Sequence, residues 1–355
     1  MKRIIYILIL AALAACTKED GPSSRLMEFS LSMPGAVSTK VEVTESGLNS
    51  ENIFVYATKS DGKNTSLVFD AGVNKLTYNS DNGVWNAKKD ESSFYEWDTN
   101  ENYYYRFYSY AYSSNAVTAW ENDRNLVIDN TTYGRQFTVT QPETGDGTGT
   151  IDYLLSYIVN VPQGTYPLVP LRLEHAMAKV EVDVQIAQSM FDVNGCLVSN
   201  VSVSVSGIRS KATMLCVQPK FDGEEGTNTW QVTWGDGNAA YTKSGIDITV
   251  SNRVGTNSVA PDMSFIAIPV TNAEMAGADN YKLTLSYHGV KSGNNYEYTF
   301  PLKDFSPKGW VNGHKVRYVL TIDNSVHLTG SIVDYEDVDY IEAVIVPGQG
   351  TGVQN

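Results

Sequence analysis

Three cysteines, four histidines and a C-terminal run of carboxylates are the residues here whose types could do chemistry. Cys16 says most. It closes Leu13-Ala14-Ala15-Cys16 behind a positive Met1-Lys2-Arg3 and the apolar run Ile4 to Leu13, the order of a secretory signal with a small-residue cleavage site. Leu-Ala-Ala-Cys resembles a lipobox, in which the cysteine is acylated and becomes the first residue after cleavage; the competing reading is an ordinary secreted chain cut near Ala15. The apolar run is shorter than the roughly 20 residues a membrane span needs. The chain is therefore read as anchored, and several acyl chains would hold it where one alone would be marginal. Cys196 and Cys216 can form one disulfide in an exported chain, although strand-like surroundings suit buried free thiols equally. Without a Cys-x-x-Cys or a paired histidine, zinc has no support.

His175, His288, His314 and His327 lie far apart and no nucleophile motif accompanies them. His175 shares strand parity with Leu171 and Leu173, which turns it inward or toward a domain seam in a hydrogen-bonded structural role. Asp334, Glu336, Asp337 and Asp339 could attract a cation, yet the stretch lacks the glycine and spacing of a calcium loop. A solvated tail, or an edge charged against aggregation, is the plainer reading. Gln141 to Thr150 carries Gly145, Gly147 and Gly149 but does not join a strand to a helical pattern, so it reads as an irregular loop and not as a phosphate cradle. No catalytic residue, cofactor or metal is expected. The chain reads as a non-enzyme.

The elements that must hold these residues follow from composition and alternation. The 355 residues carry 26 Lys plus Arg against 40 Asp plus Glu, a net charge of −14 with no basic cluster, which sets nucleic acid aside. The 22 Tyr, 6 Trp and 11 Phe, with abundant Val, Thr and Ser, favour strands, and the length suggests two domains. Period-two runs recur with turn residues between them. Hairpins are predicted at Ser60-Asp61-Gly62-Lys63 and Asp81-Asn82-Gly83. In Tyr103 to Tyr112, the parity of Tyr103, Tyr105, Phe107, Ser109 and Ala111 predicts an inner face. Tyr104, Arg106, Tyr108, Tyr110 and Tyr112 form a tyrosine-rich outer face, available in the minority reading to stack a glycan or meet a protein. The expected fold is all-β: two antiparallel β-sandwich domains with an appended C-terminal strand segment. The expected spans are a signal peptide over 1–15, a tether over 16–25, domains over 26–165 and 166–323, and the appendage over 324–355.

Several stretches together resemble the Bacteroidota fimbrillins, the type V pilin and Mfa-like lipoprotein family. They are Cys16, with Thr17-Lys18-Glu19-Asp20 after it like an outer-face export signal; Tyr105 to Tyr112; Leu171 to Val180 with its His175-Ala176-Met177-Ala178-Lys179-Val180; and Gly309 to Tyr318. The resemblance implies transthyretin-like sandwiches and export as a surface-exposed outer-membrane lipoprotein. It further implies proteolytic loss of a first strand, here Leu26, Phe29, Leu31 and Met33, and assembly of a fimbria by strand donation. Many members have Thr-Arg where this chain has Thr39-Lys40. Lys40 is thus the candidate processing position, and Arg25, which precedes the strand, is the weaker one. The tail supplies the candidate donor residues Ile332, Tyr335, Val338, Tyr340, Ile341, Val344 and Ile345, with Tyr340 to Val346 the better plug. The implied partners are other fimbrial subunits, of its own or an accessory kind, the outer membrane through the lipid, and a host or bacterial surface ligand. The alternative is a monomeric surface lipoprotein that binds glycan or a host protein through aromatics such as Trp85, Trp97, Trp120 or Trp234.

Overall fold

The computed structural model describes residues 26–32, 52–70, 73–98, 102–112, 126–129, 136–156, 158–217, 229–248, 260–277, 281–323, 326–334 and 353–354. The first strands are β1 (Glu28–Ser32), β2 (Asn52–Ser60), β3 (Thr65–Leu67), β4 (Val73–Asn79), β5 (Val84–Ala87) and β6 (Tyr104–Tyr112). They are followed by β7 (Leu126–Asp129), β8 (Gln136–Thr140), β9 (Thr144–Gly145), β10 (Tyr153–Ser156), β11 (Val159–Val161), β12 (Val169–His175) and β13 (Ala178–Ile186). Next come β14 (Phe191–Asp192), β15 (Gly195–Cys196), β16 (Val198–Arg209), β17 (Lys211–Val217), β18 (Thr229–Trp234) and β19 (Asn238–Ile246). The last are β20 (Met263–Ala267), β21 (Lys282–Gly289), β22 (Asn295–Pro301), β23 (His314–Ile322), β24 (Val326–Asp334) and β25 (Val353–Gln354), with one short helix, α1 (Asn272–Gly277), among the described residues. The fold is all-β.

Local chemistry made the predicted hairpins. The Asp61 carboxylate accepts from the amides of Lys63 (2.8 Å) and Asn64 (2.7 Å) between β2 and β3, and Gly83 takes φ +73° between β4 and β5, a conformation that costs other residues strain. Longer-range pairing then closes the first sheet. Its order is β11-β6-β10-β12-β1-β5-β4-β2-β3 with β6 also paired to β2, so β10, β12, β1, β5, β4, β2 and β6 form a ring. Met27, Phe29, Ile53, Val55, Phe107, Leu154, Leu171 and Leu173 fill its interior.

The outer face of β6 corrects the expectation of an exposed tyrosine strip. Tyr108 and Tyr110 are buried in a second core with Phe54, Tyr56, Phe137, Val139, Ala212, Met214 and Ile266. A sheet in the order β18-β17-β8-β7 supplies the cover. It pairs strands far apart in the chain, Ala212 with Val139 and Met214 with Phe137, so no local pattern announces it.

The second body stacks the sheet β25-β22-β21-β16-β19-β9 on β20-β13-β23-β24. Val180, Val182, Val203, Leu285, Phe265, Trp310 and Leu320 are in the core between them. Trp310 Nε1 donates to the Tyr318 hydroxyl at 2.9 Å, and burial pushes that phenol up to about 12. The alternation of β13 predicts a half-buried strand, but both its faces are buried. Its charges are therefore paired: Lys179 with Glu181 at 3.3 Å, and Asp183 with Arg317. Burial still pushes the Asp183 carboxyl up to about 6, against the pull of Arg317.

Three expectations shift. The sandwiches are not wholly antiparallel, since β1 runs parallel to β12 and β13 parallel to β23. Residues 166–175, assigned to the second domain, contribute β12 to the first ring, and the chain crosses between sheets at Ala176-Met177. The appendage placed from 324 onward begins with β24, which pairs along β23 from Ile322↔Val326 to His314↔Asp334.

The loop 141–150 is a joint between the two bodies. The Gln141 amide donates to the Ser210 carbonyl at 2.7 Å and the Ala240 amide to the Glu143 carbonyl at 2.9 Å. The Tyr241 hydroxyl donates to the Pro142 carbonyl at 2.7 Å, and the Ile266 amide donates to Thr150 Oγ1 at 2.8 Å. Gly147, at φ +90°, leaves no room for a side chain: a Cβ there would lie 2.7 Å from the Ser264 carbonyl oxygen and 2.8 Å from Phe265 Cβ. Gly147→Ala is expected to cost about 1–3 kcal/mol through overpacking at a left-handed position. A lowered urea midpoint with unchanged slope would report it.

Candidate assembly groove

The first strand, expected to be removable, lies inside the ring rather than on its rim. On one side β1 pairs with β12, Phe29↔Val169 and Leu31↔Leu171; on the other it pairs with β5, Glu28↔Asn86 and Phe29↔Trp85. Leu26 bridges to Glu96, and the Met27 amide donates to the Tyr95 carbonyl at 2.9 Å. Alternation decides which side chains go in. Met27 and Phe29 are fully buried, Phe29 edge-on to Phe107 at 5.5 Å, while Leu31 is partly buried against the same core. Without β1, the facing edges of β12 and β5 would lose their backbone partners over an apolar floor, a geometry that accepts an incoming strand.

The other candidate residues fall as follows. Cys16, Arg25, Met33 and Lys40 lie outside the described residues, as do Tyr335, Val338, Tyr340, Ile341, Val344 and Ile345. Ile332 is placed, opposite Val316 in the β23–β24 ladder, so its backbone is already engaged within this chain. Cys196 is a free thiol packed against the second core, so the bridge to Cys216 is not formed. Cys216 sits opposite Trp230 between β17 and β18.

His175 Nδ1 lies 2.7 Å from Asp152 Oδ2 and both residues are buried, at the crossing from β12 to β13, which is the seam role its parity predicts. Of the tryptophans offered as a ligand platform, Trp85 and Trp97 are buried: Trp97 packs edge-on to Tyr105 at 5.0 Å and to Phe107 at 5.8 Å. Trp120 lies outside the described residues, and Trp234 ends β18 opposite Ala212. Among the described residues no group of three His, Cys, Asp or Glu could hold a metal, and no helix is long and apolar enough to cross a membrane.

The part of the seam built by the 141–150 loop was missed in the sequence. Gln141 is its clearest member: its side-chain amide donates to the Ile151 carbonyl at 2.6 Å and its oxygen accepts from the Ile151 amide at 2.8 Å. A buried glutamine replacing a strand partner has no sequence signature.

Among solved structures, the chain is similar to a candidate cell adhesion protein of Bacteroides ovatus, at 14% identity and TM-score 0.49, with 89% of this chain and 100% of that one covered. It is also similar to a candidate cell adhesion protein of Bacteroides uniformis, at 16% identity and TM-score 0.46, covering 79% and 91%. A fimbrial assembly protein of Parabacteroides distasonis matches at 14% identity and TM-score 0.39, covering 89% and 98%. Likeness at this level carries no inference about partner or ligand. No curated protein matches. The family model described as fimbrillin-like matches residues 39–334, which takes in nearly all of both bodies and ends on the last residue of β24. The chain belongs to the fimbrillin-like family, a family of fimbrial proteins of the cell surface.

Proposed function

We propose that this protein is a structural subunit of a cell-surface fimbria, exported as a lipoprotein acylated at Cys16 and polymerised by strand donation after proteolysis removes β1. The supporting observation is the place of β1, paired on both sides and buried at Met27 and Phe29, within a segment that the family match does not include. Cutting after Lys40 would free this strand. Cutting after Arg25 would release the lipid and leave the groove filled. The incoming strand is the tail beyond Asp334 of another subunit, because β24 up to that residue is engaged with β23. Donation from one copy to the next does not close on itself and yields a filament. The reading as a monomeric glycan binder is weakened by the burial of Trp85 and Trp97.

N-terminal sequencing of polymer sheared from cells tests the proposal. Chains beginning at Val41 are expected, and polymer beginning at Cys16 would reject processing and favour an anchor role. Acylation has its own check: Cys16→Ser is expected to abolish incorporation of labelled fatty acid and leave precursor or mislocalised protein, and label persisting on the mutant would overturn it.

A further inference from the structure

We propose that Tyr340 sets the register and direction of the donated tail in a neighbour's groove. It takes the site vacated by Phe29, with Val338 in the site of Met27, Asp339 beside Asn86 and Glu342 in the site of Leu31. The assignment rests on the strand-donation reading above and names the side chains that make one strand fit the groove.

The inward sites of the groove differ in character. Those of Met27 and Phe29 are sealed, at 1% and 0% exposure, while that of Leu31 is only partly covered and Ser32 beyond it is exposed. The Phe29 site lies between Trp85 on β5 and Val169 on β12 and holds a ring edge-on to Phe107 at 5.5 Å. A small side chain there would leave a void, which a close-packed core tolerates poorly; this disfavours the register that puts Ala343 in the site, with Ile341 and Ile345 beside it. Beyond β24 the tail has two aromatic residues, Tyr335 and Tyr340. Running as β1 runs, Tyr335 would carry Val333 into the Met27 site, but Val333 is paired with Lys315 within β24. Running the other way it would carry Asp337 there. Tyr340 in the reverse direction would likewise seal Glu342 in the Met27 site, burying an unpaired carboxylate. In the direction of β1, parallel to β12, Val338 and Tyr340 take the sealed sites. Valine is smaller than methionine and tyrosine larger than phenylalanine, so the filled volume is nearly conserved. Glu342 then covers the half-open site with its stem while its carboxylate reaches water.

A polar group in the groove selects the same register. Asn86 is 4% exposed, its side-chain Nδ2 has no hydrogen-bond partner, and it stands directly opposite Glu28 across the β1–β5 ladder. While β1 is in place, a buried donor is left unsatisfied, which is costly. With Tyr340 in the Phe29 site, Asp339 occupies the position of Glu28 and brings a carboxylate one methylene closer to the backbone, an acceptor for Asn86 Nδ2. The incoming strand thus satisfies a group that the departing strand does not, and exchange is favoured. The reach is short. Asp334 ends β24 opposite His314, next to Gly313, whose amide donates to the Met177 carbonyl at the seam. Only Tyr335, Glu336 and Asp337 then separate β24 from Val338, a span of about 13 Å when extended. The Met27 end of the acceptor's groove accordingly lies beside the seam end of the donor's β24, and Ile341 to Val346 continue the strand from there.

The test is disulfide trapping in fimbriae assembled on cells. Asn86→Cys combined with Asp339→Cys should give, on oxidation, a ladder of covalent oligomers that reductant collapses, because directly opposed antiparallel positions have the Cα spacing a disulfide needs. Asn86→Cys combined with Glu342→Cys, and each single variant, should give no ladder. Tyr340→Ala should keep the subunit's melting temperature and reduce polymer at least about tenfold, as loss of an anchor side chain does, whereas Tyr340→Phe should polymerise like the wild type. A ladder from positions 86 and 342, polymer without a ladder from 86 and 339, or full polymer from Tyr340→Ala would overturn the register and leave strand donation standing. Polymer from a chain ending at Asp334 would overturn donation by the tail and the register with it, and so would a wild-type chain that forms no polymer.

Discussion

Deleting residues 335–355 should leave a folded subunit that melts as cooperatively as the full chain and yields no polymer at the cell surface. Among the described strands the cut removes only β25, whose two register pairs with β22, Tyr296↔Gln354 and Glu297↔Val353, are a minor loss. It removes the alternating apolar segment Tyr340 to Val346, the proposed plug for a neighbour's groove. The position of the cut matters. Ending the chain after Asp323, where the sequence alone places the end of the second domain, also deletes β24, and β23 then loses its whole outer ladder. That shorter protein should be strongly destabilised and would fail to polymerise for an unrelated reason. Thermal melts of both truncations, beside electron microscopy of the cell surface, separate the cases. Fimbriae built from the 1–334 protein would end the tail's claim as donor.

Phe29→Ala should cost the unprocessed chain about 3–5 kcal/mol, the range for emptying a fully buried aromatic site. The ring cannot collapse easily around the loss, because Phe29 is pinned on both sides by backbone pairing and its ring meets Phe107 edge-on. Leu31→Ala should cost clearly less, since Leu31 is only partly buried. Urea unfolding of unprocessed protein measures both. The larger loss should also expose the chain to cleavage, because when opening and reclosing are fast a protease acts on the population with β1 out of the groove. A Phe29→Ala chain within 1 kcal/mol of wild type would mean that β1 contributes little to the ring, and that its removal creates no groove worth filling.

The sequence by itself determined the strands, because side-chain alternation and turn chemistry are local: Asp61-Gly62 and Asn82-Gly83 end strands wherever the chain goes. It determined the inward set Tyr105, Phe107, Ser109 and Ala111, and the structural role of His175, since parity is a property of one strand. It also held the lipobox-like Leu13-Ala14-Ala15-Cys16 and the acidic, alternating tail. Only the tertiary structure decided which faces meet water. Tyr108 and Tyr110 read as an outer face until β8 and β17, far apart in the chain, pair across them. Trp85 and Trp97 read as a platform until the ring closes over them. Closure itself depends on β6 meeting β2 and β1 slipping between β12 and β5, and the backbone groups that pair there are the same in every residue but proline. For that reason pairing partners, and with them the groove and the seam at Gln141, are written in distance across the fold and not in spacing along the chain.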